Sequence, residues 1–301
     1  MSSARALNVV FDTDDPFVIA LHRTVLASLP ISFNVHEARQ GDVVVVSGRD
    51  DRWIATASQA IDRGVAGVLV GATGATEPGR VLELDKQADV TGTPVVVDSA
   101  YGADPAWEDS LVEILEDVPT CSLLDSVATV ANLGAPRRAG NLLFAAFLEQ
   151  LAFVEALVGS CDALSLVHRS DRQYVAMGVT GATTVTICGV LSFLGTESLA
   201  VDLVGSTRRW SARFSADAPA RPSRITVFSA RGATTKPLRH ESSHRRCWRQ
   251  LYTAVVEGGP VRGSLAEFAS RLTVAAQLLP EEAEDVGPAA LTDHKHQAEG
   301  G

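Results

Sequence analysis

Asp42-Val-Val-Val-Val46, Gly67-Val-Leu-Val70 and Pro94-Val-Val-Val-Asp98 are three short aliphatic runs without polar alternation. Strands covered on both faces read this way, because neither face meets water. The segments between them have helical spacing. Arg52 to Arg63 sets Trp53, Ala57, Ala60 and Ile61 on one stripe, and Pro78 to Thr91 sets Val81, Leu82, Leu84 and Ala88 on another. Strand, helix, strand, helix, strand predicts right-handed βαβ crossovers and half of a Rossmann sheet.

Upstream, Leu7 to Phe11 reads as the first strand and Phe17 to Leu29 as the first helix, entered through Asp12-Thr-Asp-Asp-Pro16, an acid at the cap and a proline in the first turn. Ile31 to Val35 reads as a second strand, too close to Asp42 for a full helical crossover. Downstream come a helix over Ser110 to Glu116, a strand over Ser122 to Val130 and a long helix over Asn141 to Val158. From Ala163 to Ser229 the texture is of antiparallel strands with Gly, Asp and Ser at the turns. A helix pair follows, Ser242 to Glu257 and Leu265 to Leu279, the second opened by the capping box Ser264-Leu-Ala-Glu267. The expected fold is α/β: a Rossmann-like parallel-sheet domain over residues 1–119, a C-terminal α+β domain with a large open, mainly antiparallel sheet over 120–280, and a disordered acidic tail over 281–301.

The 301 residues are 46% hydrophobic with a net charge of −10, enough for two cores and the wrong sign for a nucleic-acid surface. Cys121, Cys161, Cys188 and Cys247 lack the spacing of a zinc site or a disulfide framework, and the start of the chain lacks the apolar core of a signal peptide, so a cytoplasmic location is expected. Leu142 to Val158 carries Glu149 and Glu155 and is expected to be a buried helix, not a membrane span.

Asp42-Val-Val-Val-Val46, Ala60-Ile-Asp-Arg-Gly64, Val68-Leu-Val70, Pro94-Val-Val-Val97, Tyr101 and Pro105, with Val255-Val256-Glu257-Gly258-Gly259-Pro260 and Ser264-Leu265-Ala266 later, resemble the Gfo/Idh/MocA oxidoreductases over about Leu7 to Leu279. The resemblance implies a dinucleotide domain, a second domain whose sheet mediates oligomerisation, and hydride transfer between NAD(P) and sugars or polyols. By register from His22, the family's three phosphate-loop glycines fall on Asp14, Pro16 and Ile19, and the catalytic lysine falls within Gly71-Ala72-Thr73. The positional equivalents of cofactor contacts are Asp12, Thr13, Asp14, Ser47 and Glu37, the last standing where a ribose-binding acid belongs beside His36. The family's helix-borne Asp and His fall on Ala145 and Glu149, which leaves Glu149 as the catalytic candidate, a general base if burial raises its pKa.

Glycines in a phosphate loop let backbone approach the pyrophosphate at a helix N-terminus. Asp12, Asp14 and Asp15 instead place negative charge there, and each unit-charge pair at about 4 Å repels by roughly 1 kcal/mol in water and about 4 at an effective dielectric near 20. The expectation is a chain that keeps the scaffold without cofactor or catalysis and serves as a non-catalytic subunit, pairing through its sheet with itself or with an active homologue. The alternatives are an active NAD(P)-dependent oxidoreductase using Glu149 and Tyr101, and a regulator that senses a small molecule in the interdomain cleft. His240 and His244 with Cys247 have a spacing compatible with zinc, but Arg239, Arg245 and Arg246 oppose a cation. With Arg249 these arginines form a cluster suited to an anion, an acidic partner or plain solvation, while Asp202, Arg208, Arg209 and Trp210 are candidates for an interface.

Overall fold

The computed structural model describes residues 6–29, 32–35, 41–49, 52–131, 139–159, 164–192, 197–215, 222–261 and 263–280. Its first sheet contains β1 (Leu7–Phe11), β2 (Phe33–Val35), β3 (Val43–Gly48), β4 (Gly67–Thr73) and β5 (Val95–Val97). The order is β2-β1-β3-β4-β5, with all strands parallel. Every residue of β3 is buried, as its unbroken valine run requires of a strand covered on both faces. The short second unit survives as an edge strand of three residues.

The helices of this region are α1 (Pro16–Ser28), α2 (Trp53–Asp62), α3 (Pro78–Thr91) and α4 (Pro105–Asp117). Trp53, Ala57, Ala60 and Ile61 of α2 bury against β3 and β4 along the stripe the spacing predicts. Leu82 of α3 does not join its stripe and is exposed. Helix α4 starts earlier than the pattern indicates, because the Asp104 carboxylate caps it by accepting from the amides of Ala106 and Trp107.

The second sheet contains β6 (Cys121–Ala131), β7 (Ser165–Arg169), β8 (Gln173–Thr180), β9 (Thr183–Ser192), β10 (Ser198–Gly205), β11 (Arg208–Ser215), β12 (Arg224–Ser229) and β13 (Gly232–Thr235), in the order β13-β12-β11-β10-β6-β9-β8-β7. The sheet is mixed, since β6 and β9 pair in parallel at its centre. Strand β13, Gly-Ala-Thr-Thr, carries no apolar signal and was invisible to periodicity. Helix α5 (Ala139–Val158) lies across β6, β8 and β9. Its Asn141–Val158 stretch is long and apolar enough to cross a membrane, yet half of it is buried inside the fold. Gln150 of α5 pins it to the sheet by donating to Ser126 O, Ser126 Oγ and Cys188 O at 2.9–3.0 Å and accepting from the buried Tyr174 hydroxyl.

The last two helices, α6 (Ser243–Glu257) and α7 (Leu265–Leu278), return to the first sheet. Helix α6 packs on β4, β5 and α1, and α7 packs on α3, β5 and α5. One core therefore joins α2, α3, α5 and α7 to the inner face of the second sheet, while α1 and α6 bury the other face of the first around Val9, Val45, Leu69 and Trp248. Residues 281–301, expected as an acidic tail, lie outside the described residues.

Candidate functional site

The turn between β1 and α1 shows what the aspartates do. Asp15 caps α1: its Oδ1 accepts from the amides of Phe17 (2.9 Å) and Val18 (3.3 Å), and its Oδ2 accepts from the Ser47 hydroxyl (2.9 Å). Pro16 has no amide hydrogen, and the amide of Ile19 is committed to the Asp15 carbonyl. The donors that a helix N-terminus offers to an anion are thus already taken by a carboxylate of the same chain. Thr13 Oγ1 accepts from the Asp15 amide, Asp14 is exposed, and Asp12 faces Arg63 at 3.5 Å in a half-exposed pair of little energetic weight. The Arg49 guanidinium sits 4.9 Å over the exposed ring of Phe17 beside them. Glu37 and His36 lie outside the described residues. This turn does not fit a dinucleotide pyrophosphate, since binding there requires expulsion of the Asp15 carboxylate.

A second constellation lies at the carboxyl end of β5, the edge of an open α/β sheet at which ligands sit. Asp98 directly follows the strand, tied by its amide to Val70 O, and its Oδ2 meets His244 Nδ1 of α6 at 2.7 Å. Burial alone would raise the Asp98 pKa, but the charge and hydrogen bond of His244 outweigh it and hold the carboxyl below its ordinary value. Burial conversely presses His244 down, and Asp98, with help from Glu149, lifts it above its ordinary value, so the two form an ion pair. His22 of α1 is fully buried beside them, its Nε2 lying 3.7 Å from Asp98 Oδ2. Its Nδ1 accepts from Trp248 Nε1 at 3.2 Å, and burial lowers its pKa, so it is neutral with its proton on Nε2. The Cys247 thiol, one turn after His244, is pushed well up by burial and by Asp98.

Glu149 reaches this cluster from α5. Its carboxylate accepts from Ser99 Oγ (2.6 Å), Ala100 N (3.0 Å) and Tyr101 N (3.4 Å), all in the loop after β5. Burial raises its pKa, the hydrogen bonds from Ser99 and Ala100 moderate the rise, and Asp98 adds to it. Asp98, Glu149 and Cys247 line a cavity of about 210 Å³ with Trp107, Phe153 and Phe268 among its walls. Glu149, the general-base candidate of the sequence, lines this cavity, and Tyr101 is buried with its ring against Phe214. Asp98 and Ser99 escape motif reading, and His22 enters it only as a register mark. The available signal was positional: a carboxylate immediately after a buried strand at the ligand-binding edge.

The zinc reading fails because α6 begins at Ser243, so His240 stands in the exposed segment before it while His244 is committed to Asp98. Among the described residues no group of His, Cys, Asp and Glu is arranged to hold a metal ion. The arginine cluster is largely paired: Arg239 with Asp109, Arg246 with Glu108 and Arg249 with Glu241. On the second sheet Asp202 binds Arg209 and Arg213 at 2.9 and 2.8 Å, Arg208 pairs with Asp117 at 3.3 Å, and Trp210 is buried, donating to Asp117 at 2.7 Å.

No protein-family model matches the chain, and no curated protein matches it in sequence. Solved structures match its fold. A variant of a 3-ketoreductase from Actinomadura kijaniata, in complex with TDP-benzene and NADP, superposes with a TM-score of 0.69 at 14% identity, covering 91% of this chain and 97% of that one. A UDP-N-acetylglucosamine 3-dehydrogenase from Acidithiobacillus ferrooxidans gives 0.70 at 12% identity with the same coverage of 91% and 97%. The chain shares the fold of these solved oxidoreductases; identities this low carry the architecture and no more.

Proposed function

We propose that this chain is a non-catalytic relative of the oxidoreductases whose fold it shares, without a dinucleotide, and that it works as a subunit of an oligomer. The observation that carries the reading is Asp15, whose carboxylate occupies the α1 terminus from within. Two further acids flank that position, and Ala72 follows Gly71 where the family's lysine is expected. Partnering is supported by the face of the second sheet opposite the shared core, whose alternate side chains are part-buried or exposed. Val127, Cys188 and Ala200 share one cross-strand row there, next to the exposed Met177, Val179 and Val190. Asp202, Arg209 and Arg213 add charges of both signs, which suits a two-fold contact with a second copy or with a homologue.

Fluorescence titration with NADH and NADPH tests the first half: no saturable binding is expected, and a micromolar Kd for either overturns it. Light scattering after size exclusion tests the second half, where a dimer or larger species is expected, alone or with a co-expressed homologue; a monomer in both overturns it. One observation favours a second reading, an active NAD(P)-dependent oxidoreductase. The interdomain cavity stands at the carboxyl end of β5 with Glu149 on its wall, and burial raises the pKa of that residue in the direction a general base requires. Cofactor binding in the same titration is the result that selects it.

A further inference from the structure

The charged side chains that line the interdomain cavity already have counterparts within the chain. Asp98 is ion-paired with His244 at 2.7 Å, Glu108 with Arg246 at 2.9 Å and Arg271 with Glu155 at 3.3 Å. Glu149 is held by the Ser99 hydroxyl and by the amides of Ala100 and Tyr101, and it shares the positive field of His244. A charged ligand of either sign would leave water for a lining with no free counter-charge to offer, which is costly. The space therefore selects a neutral occupant.

Two uncharged polar side chains of the lining stand free. Thr73, at the end of β4, and Gln250, on α6, make no side-chain hydrogen bond among the described residues, and neither has a polar atom sealed off inside the fold. The Gln250 carboxamide presents donors beside an acceptor, so its complement is an amide with N–H and C=O on one edge, as in a lactam ring. The Thr73 hydroxyl donates or accepts as the occupant requires. Trp107, Phe153 and Phe268 with Leu111 and Leu148 make most of the remaining wall apolar and aromatic. Such a wall suits a flat ring and leaves the hydroxyls of a polyol unpaired. At about 210 Å³ the space exceeds the roughly 150 Å³ that accommodates benzene, which leaves room for an amide edge on such a ring.

We propose that the interdomain cavity binds a small neutral aromatic lactam, its amide edge paired with the Gln250 carboxamide and its ring held by Trp107, Phe153 and Phe268. The probes that test it carry no nucleotide, so its outcome is separate from that of the NADH and NADPH titration. Calorimetry and thermal shift on the full chain compare isoindolinone with phthalide, the lactone of the same shape whose ring oxygen replaces the N–H, and with benzoate, benzylamine and inositol. Isoindolinone is expected to bind saturably, phthalide at least about tenfold more weakly because the Gln250 oxygen is then left without a donor, and the two ions and the polyol not at all. Gln250→Leu is expected to weaken isoindolinone at least about tenfold and to abolish its preference over phthalide. Ala152→Phe, which fills the cavity from α5 without touching Gln250, is expected to abolish binding of both and decides the matter should the first variant not fold. Equal affinity for lactam and lactone, preference for benzoate, benzylamine or inositol, no binding of isoindolinone, or binding unaffected by either substitution overturns the proposal.

Discussion

His22 of the first helix accepts a hydrogen bond at Nδ1 from the indole Nε1 of Trp248 in the sixth, at 3.2 Å with both side chains fully buried. The bond fixes the histidine tautomer and ties a C-terminal helix to the N-terminal sheet. Trp248→Phe removes the donor and part of a fully buried indole, leaving Nδ1 unpaired beside a void. A loss of about 1–3 kcal/mol is expected in urea unfolding. His22→Phe with Trp248→Phe together is expected to cost less than the sum of the single changes, because the unpaired atom is then gone.

The pairing of Asp98 with His244 has a pH signature. His244 is held above its ordinary value of 6.5, so its contribution to stability is fully present below pH 6.5 and is lost as pH rises through the raised value. Buried His22 is displaced downward and acts with the opposite sign, costing stability as pH falls below 6.5. Wild type is therefore expected to lose stability on going upward from pH 6.5. The double variant Asp98→Asn with His244→Gln, which removes both charges, is expected to be flatter there in urea midpoints measured at successive pH values.

Much of this fold was legible in advance because its strands are buried on both faces. Val43 to Val46, Gly67 to Val70 and Val95 to Val97 announce themselves as aliphatic runs, and α2 buries the stripe its spacing predicts. What escaped lies where side-chain pattern carries no information. Gly232 to Thr235 pairs through its backbone alone, and the parallel contact of β6 with β9 is a matter of topology between strands that each alternate like their antiparallel neighbours. The site was less legible. Glu149 could be placed by register, but the meeting of His22, Asp98 and His244 joins residues up to 222 positions apart (244 − 22), and no local motif encodes it. The same holds for Asp15: the sequence shows an acid before a helix, and the structure adds that Ser47 from another strand engages its second oxygen.

The second sheet contains a close approach that only glycine allows. A Cβ on Gly189 would lie 2.2–2.5 Å from two ring atoms and the hydroxyl oxygen of Tyr174. That ring stacks edge-on against Phe147 at 5.1 Å and its hydroxyl satisfies the buried Gln150. Gly189→Ala is expected to cost about 3 kcal/mol or more, combining overpacking with a broken polar network. Tyr174→Phe isolates the polar part and is expected to cost about 1–3 kcal/mol, since Gln150 Oε1 loses its donor. Chemical denaturation of both variants separates the two contributions.

Asp15 supports a prediction that distinguishes a capping acid from a merely incidental one. Asp15→Ala removes the acceptor for the amides of Phe17 and Val18 and for the Ser47 hydroxyl, at an expected cost of about 1–2 kcal/mol. It also reopens the helix terminus, so sulfate is expected to raise the thermal midpoint of the variant more than that of wild type. Asp15→Asn retains an acceptor and is expected to fall between the two. NADPH binding is not expected to return in Asp15→Ala, because Asp12 and Asp14 stay beside the opened donors and Pro16 still lacks one. A variant that gains sulfate but not NADPH would mean that the terminal acid closes the anion site and that its neighbours and the absent glycines keep a diphosphate out.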